Sequence, residues 1–297
     1  MSDAPPLTKL NWINLIMFIA SLILVPTIPA IFGLPDNAVL SEKYQTLVTP
    51  SGSTFAIWGV IFIAEGIFSV MQMMPKYRNH PMVVEGAKYN FALACFTQVV
   101  WTLVFSYEVM WLAAVFMLAI LFFLGSLLYS QYQLDTQSVG EFWLLQFPFQ
   151  LHCGWIVAAS AVQLNTVVVA YDGSSETQLS MAILSVAGVV ATALYLLFVL
   201  EKKIETTAGV QAWALMGIAS QLADPFEKTQ VKFGSLVLDG LGGAANIAST
   251  ALWVMVGLAV VWEVYMLVAG RREKVQRETG LPMQNHLEAP LTAVSTV

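Results

Sequence analysis

Charge is scarce in this sequence. Asp, Glu, Lys and Arg make up 11% of its 297 residues, whereas soluble domains carry about 25%. With 58% apolar residues and a mean hydropathy of +0.71, the large water-facing surface of a cytosolic enzyme is excluded. No basic tract is long enough to follow a nucleic acid. Cysteine is limited to Cys95 and Cys153, both inside apolar runs, which implies neither a disulfide framework nor a redox compartment. Of three histidines only His152 lies in an apolar run, and metal sites normally need several ligands. There is no Ser-His-Asp arrangement, no phosphate-cradling glycine loop and no evident nucleophile, so the chain reads as non-enzymatic. The first residues, MSDAPPLTKLNW, lack a basic leader and a cleavage site, so the first apolar run is expected to be a retained helix.

The sequence is rich in long apolar runs. Eight are read as membrane spans, because about twenty residues at 1.5 Å each cross a core of roughly 30 Å. They cover about 12–33, 54–74, 88–106, 111–131, 141–170, 179–200, 208–223 and 242–269. Pro26, Pro29 and Pro148 are expected to bend the first and fifth. The fold class is therefore an all-α integral membrane protein. Ten of the thirteen Lys and Arg residues fall on one side of this arrangement and three on the other, which places both termini in the cytoplasm. Small residues recur at helical spacing, as in Gly154, Ala158 and Ala161, and in Ser185, Gly188 and Ala191. Such faces let helices approach closely, within one chain or in a homodimer.

The stretch TPSGSTFAIWGVIFIAEGIFSVMQMM, residues 49–74, carries one acid deep in an apolar run. A carboxylate at mid-membrane costs about 2.5–3.5 kcal/mol even on lenient scales. Glu65 should therefore turn towards protein, and an intramembrane ionisable group is a functional candidate in its own right. Trp58, Phe62 and Glu65 share one helical face. No Lys or Arg falls inside a span core, so His152 is the one group that could form an ion pair with Glu65. His152, Trp155, Ala159 and Gln163 form a second stripe, and Gln98, Trp101 and Phe105 a third. Three stripes of aromatic rings with a few polar groups could line a cavity for a small apolar molecule. They could equally fill the core, with the amides bonding between helices.

The segments SEKYQTLVTPSGSTFAIWGVIF, QVVWTLVF, FPFQLHCGWIVAASAVQLN and AGVQAWALMGIA, in that order, resemble the translocator protein/tryptophan-rich sensory protein (TspO/MBR) family, in particular a long branch with three extra C-terminal helices. The similarity covers about residues 10–222. It implies a five-helix bundle over 1–171 with three further helices over 172–270, and the polar composition of 271–297 predicts a disordered cytoplasmic tail. The family's Trp-x-x-x-Tyr matches Trp58 and Phe62, its Asn-x-x-Trp matches Gln98 and Trp101, and its fifth-helix motif matches Trp155, Ala159 and Gln163. Tyr has become Phe62, and both asparagines have become glutamine. The resemblance implies a pocket for a porphyrin or other tetrapyrrole, or a sterol-like molecule, with no obligatory cofactor. The implied role is sensory or regulatory. The alternative is a secondary transporter with Glu65 as its proton-coupling site. Hydrophobic small molecules and membrane lipid are the expected partners.

Overall fold

A computed structural model describes residues 6–136 and 138–279. All regular structure among them is helical. We label the helices α1 (Lys9–Phe32), α2 (Asn37–Lys43), α3 (Ile57–Met71), α4 (Asn90–Ser106), α5 (Met110–Tyr132), α6 (Phe147–Ala170), α7 (Ser175–Leu194), α8 (Glu205–Ala223) and α9 (Glu227–Thr279).

Six helical stretches are long and apolar enough to cross a membrane: Lys9–Phe32, Gly52–Met71, Met110–Tyr132, Val139–Ala170, Ser175–Val199 and Glu227–Met266. The expected eight is thus not reached by length and composition. With 17 residues, α4 is about 26 Å long at the α-helical rise, short of a full core. With 19 residues, α8 carries Glu205, Thr206, Thr207, Gln211, Ser220 and Gln221 along its length, which lowers its hydropathy. The outer surface fits a lipid environment. Ile63, Phe122 and Ile247 are 68%, 67% and 72% exposed, and apolar side chains so placed would be a liability in water.

Several boundaries shift for local reasons. A 3-10 turn, Gly52–Ala56, precedes α3 and takes the first residues expected for the second span. The prolines of α1 lie inside one continuous helix. Before α6, a one-turn helix Val139–Glu141 leads into a π-helical turn, Phe142–Gln146. Pro148 then falls in the first turn of α6, where its missing N–H has no intrahelical partner to lose. A second π turn, Met82–Ala87, occupies part of the connection between the second and third expected spans. The buried Gln131 amide ties the two turns together, donating to Leu145 O at 2.7 Å and Met82 O at 3.3 Å. Near the start of α9, Gly234 breaks the helix with φ 73°, ψ 159°, a conformation open to glycine. At its other end α9 continues beyond the expected stop at 269 to Thr279. Residues 280–297 of the expected tail lie outside the described residues.

The described residues form two compact units, divided after Val256. In the first, α4 and α5 form a hairpin through Tyr107–Val109, and α6 packs on α3, α5, α7 and α8. At its α1 end, Asn11 Nδ2 donates to Gln72 O and Arg78 O, and Asn14 Nδ2 donates to Lys88 O. The second unit holds the last turns of α9, where Trp262 and Tyr265 lie 6.0 Å apart, centroid to centroid.

The segment between α1 and α3, which joins the first two expected spans, contains α2. Asp36 caps it, accepting from Val39 N–H at 2.9 Å. Leu40 is fully buried in the same apolar cluster as Trp101, Phe105 and Met110. Lys43 Nζ and the Tyr44 hydroxyl both donate to Glu108 in the α4–α5 turn. These bonds, the Lys43 one first, hold the Glu108 carboxyl below its usual range, and Glu108 raises Lys43 above its own. The Glu108 contribution is present above the usual carboxylate range and fades as pH falls through it. The Lys43 contribution is present below the lysine range and fades as pH rises through it. Amide exchange around Leu40, corrected for intrinsic rates, is therefore expected to be faster at about pH 3 than at neutral pH, and Glu108→Gln should abolish that difference. Equal protection at both pH values in the native protein would refute the latch.

Candidate functional site

The stripes read from the sequence meet at α6, but as two groups. The first joins α3 to α6. Glu65 is buried in the middle of α3, and His152 is buried near the start of α6. Their side chains are 2% and 1% exposed, and Glu65 Oε1 lies 2.7 Å from His152 Nδ1. The acid that required an inward-facing partner has one, and it is the imidazole. No Lys or Arg occurs in α3 to α8, so no cation from these helices competes for it.

A cluster of aromatic rings adjoins this pair through Trp58. Trp58 is stacked on Phe62 at 5.7 Å, meets His152 edge-on at 5.6 Å and meets Trp155 edge-on at 6.3 Å. Phe55 meets Trp155 edge-on at 5.5 Å. Each such pair contributes about 0.5–1.5 kcal/mol beyond its buried area. Trp58 and Phe62 are half-buried, whereas Trp155 is 2% exposed. Two ring nitrogens here, His152 Nε2 and Trp155 Nε1, are buried without a hydrogen-bond partner in the protein.

The second group joins α4 to α6. Trp101 Nε1 donates to Gln163 Oε1 at 3.1 Å, and Gln163 Nε2 donates to Met110 O at 3.4 Å. Trp101 stacks on Phe105 at 5.0 Å with the ring planes 16° apart. Here the amide bonds between helices, as the core-filling reading expects. Gln98 is buried one turn before Trp101, and its backbone carbonyl accepts from the Thr102 hydroxyl at 3.0 Å. Ala159 is partly buried and packs on the same core cluster as Trp58, Trp101 and Trp155. None of the residues of the three stripes lines the small crevice between α6, α7 and α8. That crevice is bounded by Val48, Ala158, Val162, Ser185, Val189 and Ile218.

The sequence reading missed two contributors. Phe55 sits three residues before Trp58, so helical spacing alone could have added it. The other is the α8 contact with the turn before α3. Trp213 Nε1 donates to Thr54 O at 3.1 Å, and Ser51 N–H donates to Gly217 O at 3.0 Å. AGVQAWALMGIA contains both partners on α8, but no local signal pairs them with Thr54 and Ser51.

The arrangement offers a buried acid–base pair, an aromatic wall and two ring nitrogens free to bond a guest. No curated protein and no solved structure matches the chain. A family model described as "TSPO-like protein" matches residues 9–262, which takes in both aromatic groups and all of α1 to α8. The chain is a member of the TSPO-like protein family.

Proposed function

We propose that this protein binds a flat, largely apolar molecule, tetrapyrrole or sterol-like, in the aromatic group between α3 and α6, and that binding serves a sensory or regulatory role. The observation that carries the reading is the Glu65–His152 pair, buried at 2.7 Å inside a wall of Phe55, Trp58, Phe62 and Trp155. A few fixed polar groups in an aromatic lining are the usual composition of a small-molecule site in a helical bundle. The half-buried Trp58 and Phe62 offer ring faces for stacking. The binding role is non-enzymatic in this reading. In this reading both termini are cytoplasmic, which the Lys and Arg distribution supports if α4 and α8 also cross the membrane.

Titrating protoporphyrin into the purified protein is expected to quench tryptophan emission to saturation. Trp155→Leu combined with Trp58→Leu should weaken that binding about tenfold or more, since base-like rings lose roughly 1–3 kcal/mol per stacking partner removed. Linear, non-saturating quenching, or the same affinity in the double variant, would count against the site.

The same pair also favours a second reading, proton-coupled transport. A carboxyl and an imidazole sharing a hydrogen bond inside a membrane are the parts of a proton relay. In proteoliposomes, a pH gradient should then drive uptake of the bound molecule, and Glu65→Gln should abolish the coupling while binding persists. Binding without any gradient-driven uptake would leave the receptor reading alone.

A further inference from the structure

We propose that the Glu65–His152 pair and Trp155 form a polar pole that selects a neutral ligand group, a hydroxyl, over a carboxylate. The inference rests on the ligand-binding reading and narrows the chemistry of that site.

The argument begins with the unused nitrogens. His152 Nε2 and Trp155 Nε1 are both buried without protein partners, on residues 1% and 2% exposed. They lie three residues apart on α6, so their side chains leave the same helical face. Both rings meet the Trp58 ring edge-on, so one aromatic wall borders both. A buried polar atom without a partner carries a desolvation penalty that a guest can relieve. The indole nitrogen can only donate. The imidazole differs, because Nδ1 is engaged by Glu65. When Nδ1 carries the proton of a neutral ring, Nε2 accepts. When the ring is protonated, Nε2 donates.

A hydroxyl meets both cases. It accepts from the Trp155 N–H and either donates to Nε2 or accepts from it. A carboxylate can only accept, so it is served by Nε2 only when the ring is protonated. It also brings a negative charge into the interior beside the Glu65 carboxyl, and α3 to α8 contain no Lys or Arg to offset it. In a low-dielectric interior that juxtaposition is strongly unfavourable. A methyl group in the same place leaves both nitrogens unpaired, which is the loss a polar site imposes on an analogue lacking its hydroxyl.

Three flat probes that accept tryptophan emission separate the cases: 1-pyrenemethanol, 1-methylpyrene and 1-pyrenecarboxylate. The readout is energy transfer in detergent-purified full-length protein. Each probe's affinity is corrected for its partitioning into protein-free micelles of the same detergent, so that the native ratio can be read directly. The native protein should bind the alcohol about tenfold or more tightly than the methyl analogue, and more tightly than the carboxylate. Trp155→Phe keeps a ring in place and removes the donor, and His152→Phe removes the acceptor. Each should bring the alcohol-to-methyl ratio down towards one. Both variants are read only where their unfolding midpoint shows a folded protein, and Trp155→Phe serves alone if His152→Phe does not fold. A native ratio near one, a preference for the carboxylate, or a ratio unchanged in Trp155→Phe would overturn the proposal. Saturable protoporphyrin quenching with no discrimination among the pyrenes would sink this inference and leave the binding site standing. No saturable binding of any probe or of protoporphyrin would sink both.

Discussion

His152→Leu is expected to destabilise the protein more than the double replacement Glu65→Leu/His152→Leu. Removing one member of a buried pair leaves the other without its partner, at a cost of about 3–5 kcal/mol when the survivor stays charged. A buried carboxyl left without a hydrogen-bond partner costs about 1–3 kcal/mol in its own right. The single variant should therefore lose about 3 kcal/mol once lost packing against Trp58 is included. The double variant replaces both polar groups by apolar ones, and such exchanges are often close to neutral. The measurement is a double-mutant cycle from denaturant unfolding in detergent micelles, with Glu65→Leu as the fourth corner. Residues in contact should give a coupling energy well above the roughly 0.3–0.5 kcal/mol scatter seen for independent sites. Additive losses would mean that the 2.7 Å contact contributes nothing.

The second large effect is expected at Gly154. A Cβ there would come within 2.9 Å of both Thr207 O and the Val210 Cβ. One of these is backbone, so it cannot rotate away. Nearby, the Thr207 hydroxyl donates to Gln150 O at 2.8 Å, and further along, Ala158 and Val162 share a crevice with Ala214 and Ile218. Residue numbers rise together along these contacts, so α6 and α8 run parallel and nearly touch at Gly154. Gly154→Leu should separate them, costing about 1–3 kcal/mol or more. Amide exchange should rise across α8, and the Trp213 bond to Thr54 should be lost with it. Gly154→Ala should give the same pattern with a smaller effect. Native protection of α8 in Gly154→Leu would show that the helices tolerate a wider spacing than this contact implies.

Helix existence was legible wherever an apolar run was long and uninterrupted, as in α1, α5 and α6. The boundaries moved where backbone chemistry, rather than hydropathy, decides. The π turn before Pro148 and the turn Gly52–Ala56 depend on hydrogen bonds to Gln131 and Gly217, which are remote in sequence. The count of eight is not reached by length and composition at α4, which has 17 residues, or at α8, where Glu205, Gln211 and Gln221 interrupt the apolar run. At the site, the spacing of Trp58, Phe62 and Glu65 put all three on one face, and His152 was the one partner the composition allowed. The sequence could not divide the three stripes into two groups. Gln163 bonds Trp101, not His152, because α6 presents residues 152 and 155 to α3 and residue 163 to α4. That distribution depends on how α6 is rotated against its neighbours, which helical periodicity leaves free.

Trp213 reaches back across 159 residues to the Thr54 carbonyl, and this separation becomes a delay when the chain is made. At about 5–20 residues per second, roughly 10–30 s pass between the synthesis of Thr54 and that of Trp213. In the last part of that time, once residue 170 has been made, α3 and α6 are both in existence while Gly154 and the Thr54 carbonyl lack their α8 partners. A nascent chain paused before α8 should therefore be a distinct, less protected species. Its Glu65–His152 pair can already form, while the turn that leads into the Trp58 helix is still untethered.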